Sequence, residues 1–158
     1  MLVKTFAPRG QTPVLRVPLA HPHVSAISAI GLTGEVAFAL QPTSFESATV
    51  IRFLEQLLAQ IAGHLIVIWD GAPIHRSKAI KAFLSAGAAH RVHLERLPGY
   101  APDLNPDEGV WSWLKRRLKN QCFQTLDTLQ NAVLAAKEEF IQRPDLLLGC
   151  LHACPYLL

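Results

Sequence analysis

The chain has 158 residues, of which 50% are hydrophobic and 17% are charged, and its formal net charge is +3. This composition indicates one globular domain with a substantial core, and it excludes disorder as the state of most of the chain. The charge is too small to indicate nucleic acid as a partner unless the basic residues are clustered. No apolar run reaches the roughly 20 residues of a membrane-spanning helix, and the first residues do not resemble a secretory signal. We therefore expect a cytoplasmic protein with no membrane partner.

The predicted elements alternate between strands and helices. Four prolines in residues 1–23 indicate an extended arm, and the periodicity of apolar residues predicts the elements that follow. In chain order, we expect a short strand at 2–6, a hairpin formed by 24–30 and 36–40, an amphipathic helix with apolar residues from Val50 to Ile61 that Gly63 ends, a strand at Leu65–Trp69, a helix at 76–86, a strand at 91–94, a loop at 97–102, a helix from Asn105 to about Lys119, and a helix at 126–142 that Arg143 and Pro144 end.

Two of these elements have distinctive sequences. The strand Leu65–Trp69 is apolar at every position, which is typical of a central strand covered by helices on both faces of a sheet. The helix that begins near Asn105 has the clearest start signal in the chain. Asn105 can cap it, Pro106 suits the first helical position, and Glu108 lies three residues after the cap, as in a capping box.

The order of elements predicts an α/β domain in which helices flank a mixed sheet. The hairpin supplies antiparallel strands, and the helix that connects it to the next strand supplies a parallel one. We divide this single domain into an arm (1–23), a core (24–120) and a carboxy-terminal helical part (121–158). The three cysteines lack the spacing of a zinc site, so we expect reduced, packed thiols.

Asp70 and Glu108 are the acidic residues whose positions favour a catalytic or metal-binding role. Asp70 follows the apolar strand at its carboxyl end, where open α/β sheets place their sites, although a turn carboxylate that accepts backbone N–H groups fits the same position. Glu108, in the first turn of a helix, is also explained by capping and by the helix dipole. Together they favour a divalent cation, because converging carboxylates supply the hard oxygen ligands that Mg²⁺ prefers and leave positions for substrate phosphate.

The helix that contains Glu108 also carries a basic cluster. Four of the chain's 15 basic side chains lie within residues 115–119, and Lys115 and Lys119 share a helix face with Glu108. Contacts with DNA phosphates would explain this track, with Lys115, Arg116 and Lys119 as the binding residues. An ordinary solvated helix face is the alternative.

Two motifs resemble the catalytic core of a known family. They are IWDGAPIH at residues 68–75 and LPGYAPDLNPDEGVW at residues 97–111. Both closely resemble motifs of insertion-sequence transposases related to the mariner group, which belong to the DDE superfamily. The likeness extends to residues 5–13 and to the hairpin, and it becomes looser beyond about residue 120. It implies a ribonuclease-H-like, retroviral-integrase-like fold.

The resemblance also implies roles for individual residues. It makes Asp70 and Glu108 the second and third members of an acidic triad that binds catalytic metal ions, and the 37 residues between them lie within the usual range of the family. His75 matches a recurrent histidine of the first motif, although a packing histidine also fits that position. His75, Asp103 and Asn105 are therefore candidate accessory residues, and Asp103 is better explained as a loop acid.

The first aspartate of the family's triad has no counterpart in this sequence. In the family it lies on a strand upstream of the arm that begins this chain, and the acids before Asp70 are three glutamates in a predicted turn and helix. The amino-terminal helix-turn-helix region of such transposases is also missing. Asp107 is a spare acid of the second motif. We therefore expect a truncated catalytic domain that lacks its first central strand and is inactive by itself.

The function implied by the resemblance is that of a transposase-type DNA endonuclease and strand transferase, with Mg²⁺ or Mn²⁺ as cofactor. Its partners would be transposon ends and target DNA, together with a second copy or a full-length transposase. A catalytically inactive remnant that binds DNA or a transposase partner is the alternative from another class. A generic metal-dependent nuclease is the third interpretation.

Overall fold

The computed structural model describes residues 7–11 and 23–155, so the strand predicted at 2–6 lies outside the described residues. The described part alternates strands and helices, in agreement with the predicted α/β class. Its elements are β1 Ser25–Ile30, β2 Val36–Gln41, α1 Ser47–Gln60, β3 Leu65–Trp69, α2 Lys78–Ser85, β4 Val92–Arg96, α3 Asp107–Arg117, α4 Leu126–Ile141 and α5 Pro144–His152. None of these helices is long and apolar enough to cross a membrane.

The four described strands form two separate two-stranded sheets. Strands β1 and β2 pair antiparallel as the predicted hairpin, with Ile30 opposite Val36 beside a turn in which Gly34 has a φ of +109°. Strands β3 and β4 pair in parallel, with Leu65 opposite Val92. Both kinds of pairing expected of a mixed sheet are present, but no hydrogen-bonded ladder joins the two sheets within residues 23–155.

Helix α1 packs against both sheets. Its register follows the predicted apolar periodicity, and a capping box between Glu46 and Thr49 stabilises its start. The buried face of α1 shares one core with apolar side chains of the hairpin and of β3. The buried members of this core are Ala37, Val50, Phe53, Leu54, Leu57 and Ile80. One helix therefore covers one face of each sheet.

Strand β3 is not the doubly covered central strand that the sequence predicts. Leu65, Val67 and Trp69 pack into the core with α1, whereas Ile66 and Ile68, on the other face, are 68% and 53% exposed. Within the described chain, β3 pairs only with β4. The apolar run correctly predicted a strand, but hydrophobicity does not identify the element that covers each face.

The region between β3 and β4 differs from the prediction in its helix boundaries. A single helix was expected at 76–86, but a short 3₁₀ turn occupies Pro73–Arg76 and α2 begins at Lys78. The break lies at Ser77, whose Oγ accepts a hydrogen bond from the Ile80 N–H at 3.3 Å and so caps α2. The helix ends just before Gly87, as predicted, because Gly87 adopts a φ of +120°.

The last three helices form a second core with the hairpin. The apolar stripe predicted on α3 packs into this core, and its buried members come from α3, α4 and α5: Val110, Leu114, Ala136, Phe140, Leu147, Cys150 and Leu151. The sequence does not predict helix α5, because Pro144 also suits the end of the preceding helix. Proline is also well tolerated in the first turn of a helix, and Pro144 begins α5. Cys150 and Cys154 are buried, as expected for packed thiols, whereas Cys122 is half-buried.

Candidate functional site

Asp70 lies at the carboxyl end of β3, as predicted. Its side chain is 65% exposed. Oδ1 accepts a hydrogen bond from the Ala72 N–H at 2.9 Å and lies 3.0 Å from Nδ1 of His75. No described residue donates a hydrogen bond to Oδ2. One oxygen of Asp70 therefore accepts hydrogen bonds within the turn, and the second oxygen is available for a ligand.

His75 contacts both Trp69, the last residue of β3, and Asp70, which follows it. Its imidazole stacks on the Trp69 indole, with ring centroids 4.3 Å apart and planes inclined by 5°. Its Nδ1 lies 3.0 Å from Asp70 Oδ1 and 3.3 Å from the Asp70 backbone oxygen. The histidine is therefore a packing residue and, at the same time, a direct neighbour of the candidate metal ligand.

Arg96 is a basic residue near this site that the sequence did not single out. It lies opposite Trp69 in the parallel register, at the end of β4. Its guanidinium covers Gly71 so closely that a Cβ there would meet a guanidinium nitrogen at 2.5 Å. Parallel strands end at the same edge of a sheet. The position of Arg96 at the end of β4 could therefore have indicated a cation at the edge where β3 ends.

Glu108 is the second residue of α3, and its side chain is exposed. The helix begins at Asp107, one residue after Pro106, the predicted first helical position, and the predicted capping box does not form. Instead, Asn105 Oδ1 accepts a hydrogen bond from the Asp107 N–H at 3.2 Å. Because Glu108 does not fold back into a capping box, its carboxylate is accessible to a ligand.

Glu108 lines a cavity of about 180 Å³ between α3, α5 and the preceding loop. The other lining residues are Pro102, Asp103, Asn105, Pro106, Gly109, Ser112, Cys150, Ala153 and Cys154. The structure therefore groups two predicted accessory residues, Asp103 and Asn105, around Glu108, with Asp103 in a short 3₁₀ turn. Asp70 is not a lining residue, and within the described chain no direct contact joins it to Glu108.

Asp107 has a structural role that the sequence did not indicate. Ser28 Oγ lies 2.8 and 2.7 Å from its two carboxylate oxygens, and the Trp111 side chain also bonds to it. Burial raises the pKa of Asp107 above 3.8, although the Ser28 hydrogen bond acts in the opposite direction. The acid next to Glu108 thus joins α3 to β1 and is turned away from solvent.

The predicted DNA-binding residues Lys115, Arg116 and Lys119 are all exposed. The neighbouring Arg117 is not equivalent to them, because its Nε lies 2.7 Å from Glu139 Oε2 on α4. Helix α3 ends at Arg117, so Lys119 lies in the following turn and not on the helix face predicted for it. This basic track, formed by Lys115, Arg116 and Lys119, is therefore accessible, but only Lys115 and Arg116 lie on the helix.

The chemistry of the exposed acids fits a hard divalent cation. Asp70 and Glu108 both present carboxylate oxygens, the ligand type that Mg²⁺ and Mn²⁺ favour. In the described part of the chain, no group of three or more His, Cys, Asp or Glu side chains could hold a metal ion. The residues present thus supply two candidate carboxylate ligands and not a complete triad.

The fold is similar to that of solved mariner transposase structures. The Mos1 transposase paired-end complex with left transposon end matches with a TM-score of 0.59 and 17% identity, over 100% of this chain and 52% of that chain. The Mos1 mariner paired-end complex with Mn matches with a TM-score of 0.57 at 17% identity, over 99% of this chain and 52% of that chain. The catalytic domain of Mos1 mariner transposase matches with a TM-score of 0.51 at 16% identity, over 84% of this chain and 82% of that domain. The predicted fold class is confirmed, and this chain spans about half the length of the two Mos1 chains in those complexes.

Sequence comparison identifies the family. No curated protein matches the chain significantly. The family model described as DDE superfamily endonuclease matches residues 2–130, which include both motifs and every predicted site residue. The match covers most of the chain and agrees with the resemblance found in the motifs. The chain belongs to the DDE superfamily endonuclease family.

Proposed function

We propose that this chain provides two of the metal ligands, Asp70 and Glu108, and a DNA-binding surface of a transposase-type endonuclease and strand transferase. The observation that carries this proposal is the exposed Asp70 carboxylate at the end of β3, which is held through Oδ1 and open at Oδ2. The exposed Glu108 in the first turn of α3 supports it. Both residues lie within the region that matches the family.

Asp70 and Glu108 would hold a divalent cation, Mg²⁺ or Mn²⁺, which supplies Lewis-acid activation for attack on a phosphodiester. The structures similar to this chain include a Mos1 paired-end complex with Mn and a Mos1 paired-end complex with left transposon end. Lys115, Arg116 and Lys119 would neutralise backbone phosphates of transposon ends and target DNA, which fixes the position of DNA without reading its sequence. Arg96, whose guanidinium lies over Gly71, would add a cation next to the residue that follows Asp70.

A third carboxylate would come from outside this chain. Two-metal catalysis requires ions about 3.5 to 4 Å apart, and a carboxylate shared between them is a usual way to hold them. Strands β1 and β3 each have one described neighbour, and Ile66 and Ile68 leave one face of β3 uncovered. A further strand that carries an acid and pairs with these edges would supply the ligand and bond to the unpaired backbone groups of the edges. It would belong to upstream residues, a second copy or a full-length transposase.

An inactive remnant that binds DNA or a transposase partner is the second candidate function. The observation that favours it is the absence, within the described residues, of a group of three potential metal ligands. A remnant that binds DNA shares this property with the proposed transposase, so cleavage is the property that separates the two candidates.

A nicking assay on labelled transposon-end DNA tests the proposal. We expect the 158-residue chain to show no useful nicking, and the chain extended by its upstream coding segment to nick in the presence of Mg²⁺ or Mn²⁺. In the extended chain, Asp70→Asn and Glu108→Gln should each abolish nicking. Failure of the extended chain to nick would favour the inactive remnant. Robust nicking by the short chain that Asp70→Asn abolishes would contradict the need for a third carboxylate.

A further inference from the structure

We propose that His75 is a positioning residue that determines which oxygen of Asp70 binds the metal ion. This inference rests on the proposed role of Asp70 as a metal ligand and adds the orientation of its carboxylate. The three residues concerned, Trp69, Asp70 and His75, lie together at the end of β3 and in the turn that follows it.

The orientation of the imidazole is set by packing. Trp69 belongs to the core between α1 and β3, and the His75 ring lies almost parallel to its indole, 4.3 Å away. The His75 side chain is only 15% exposed. Because one face of the ring rests on a side chain anchored in the core, tilting the imidazole out of this plane would break the stacking, and the contacts of Nδ1 with Asp70 then select one of the two ring orientations in that plane.

The contacts of Nδ1 identify the atom that carries the proton. Nδ1 of His75 lies near two oxygens of Asp70: Oδ1 at 3.0 Å and the backbone carbonyl oxygen at 3.3 Å. A carboxylate and a carbonyl can only accept hydrogen bonds. Nδ1 must therefore be the donor, so a neutral His75 is the Nδ1–H tautomer.

The two donors to Asp70 act on the same oxygen. Oδ1 accepts from the Ala72 N–H at 2.9 Å and from His75 Nδ1–H at 3.0 Å, and no described residue donates to Oδ2. Two donors on the same oxygen restrict the rotation of the carboxylate about its side-chain bond. Oδ2 is therefore the oxygen that Asp70 would offer to a divalent cation. Outer-shell hydrogen bonds of this type orient ligands and affect metal affinity.

The chain contains a matched control for this pair. His93 Nε2 lies 3.3 Å from Glu95 Oε2 on β4, but these side chains are 70% and 62% exposed. His93 therefore has a carboxylate neighbour, as His75 does, but its ring is exposed and does not pack on a core side chain. A substitution of His93 tests the general effect of losing a histidine near a carboxylate.

Nitrogen-15 NMR of the metal-free chain tests the inference independently of metal binding. Long-range ¹H–¹⁵N correlations should show His75 as the Nδ1–H tautomer when it is neutral. The Nε2–H tautomer would overturn the inference, because Nδ1 would then have no proton to donate. This measurement remains decisive if the wild-type chain fails to bind Mn²⁺, a result that would contradict the proposed function alone.

Titration with Mn²⁺ provides the second test. His75→Phe keeps an aromatic ring against Trp69 but removes the donor, and we expect a 10- to 100-fold weaker Kd for Mn²⁺, about the size of outer-shell effects. His75→Asn, whose amide can donate from the position of Nδ1, should recover most of this loss. His93→Phe should leave the Kd unchanged. Equal affinities of the wild type and His75→Phe would overturn the positioning role, as would equal losses in His75→Phe and His75→Asn.

Discussion

The hydroxyl of Ser28 lies 2.8 and 2.7 Å from the two carboxylate oxygens of Asp107, across 79 positions of the sequence. This contact joins β1 to the first turn of α3. Because Glu108 immediately follows Asp107, the same contact helps to set the position of the proposed metal ligand. The hairpin, although it carries none of the proposed ligands, therefore contributes to the geometry of the site.

The titration of Asp107 should be visible in the stability of the protein. Burial raises its folded-state pKa above 3.8, so the folded protein binds this proton more tightly than the unfolded chain does. The stabilisation linked to this proton is fully present below pH 3.8 and is lost as pH rises through the folded-state pKa. The unfolding free energy of the wild type minus that of Asp107→Asn should therefore fall as pH rises from 3.8 towards neutrality. Urea titrations at several pH values measure it, and a difference that rises with pH would contradict the raised pKa.

Removal of the hydroxyl partner has a separate effect. Ser28→Ala leaves the Asp107 carboxylate half-buried with fewer donors, and we expect the unfolding free energy at pH 7 to fall by about 1–3 kcal/mol. The control is Ser85→Ala, because the Ser85 hydroxyl is exposed and bonds only within its own helix turn. Equal effects of the two substitutions in urea unfolding would show that the Ser28 contact is not a significant anchor of α3.

Gly109 allows α5 to pack closely against the start of α3. A Cβ at Gly109 would meet Cys150 Sγ at 2.6 Å and Cys150 Cβ at 3.0 Å. We expect Gly109→Ala to lower the unfolding free energy by about 1–3 kcal/mol, the usual effect of overpacking. Adding Cys150→Ala should recover part of this loss, because it removes the nearest atom. Gly149→Ala is the control: space is open at that helical position, so the substitution should be neutral or stabilising by up to about 1 kcal/mol.

The basic track should contribute to DNA binding through phosphate contacts. Replacing Lys115, Arg116 and Lys119 by Ala should reduce the slope of log K against log salt by up to about three units, at roughly 0.9 per lost contact. Arg117→Ala is the matched control, because Arg117 is already paired with Glu139 and should change the slope less. Fluorescence anisotropy with labelled duplex DNA from low to moderate salt measures both slopes. An unchanged slope in the triple variant would identify this region as an ordinary solvated surface.

The exposed face of β3 should promote self-association of the isolated chain. Ile66 and Ile68 lie side by side on a strand with a free edge within the described chain, an arrangement that favours pairing with another chain. Replacement of both by Thr should lower the apparent mass at high concentration in light scattering. Leu148→Thr, at an exposed position on α5, serves as the control. If the control lowers the mass equally, β3 is not the contact surface.

The parts of the fold that depend on local patterns were predictable, and the parts that depend on distant contacts were not. Helix α1 and strand β3 follow directly from apolar periodicity and composition. Helix α5 was missed because Pro144 is compatible with both the end and the start of a helix. The exposed face of β3 depends on which elements reach it, and a sequence pattern does not contain that information.

The candidate site shows the same division. Asp70 and Glu108 were found from their positions at the end of a strand and the start of a helix, and from the motifs around them. The role of Asp107 could not be inferred, because its partner Ser28 lies on a distant strand. The contact between His75 and Asp70 depends on the stacking of the imidazole on Trp69, which the spacing of these residues allows but does not require.

The most direct test of a shared metal site is the anomalous diffraction of a crystal grown with Mn²⁺. We predict a peak about 2.1–2.2 Å from Asp70 Oδ2 and from a carboxylate oxygen of Glu108, because oxygen ligands bind small divalent cations near this distance. In the metal-free crystal, the two carboxylates should lie roughly 4–7 Å apart, within reach of one ion. A peak bound by neither residue, or a structure that places the two carboxylates on opposite faces of the molecule, would contradict the shared site.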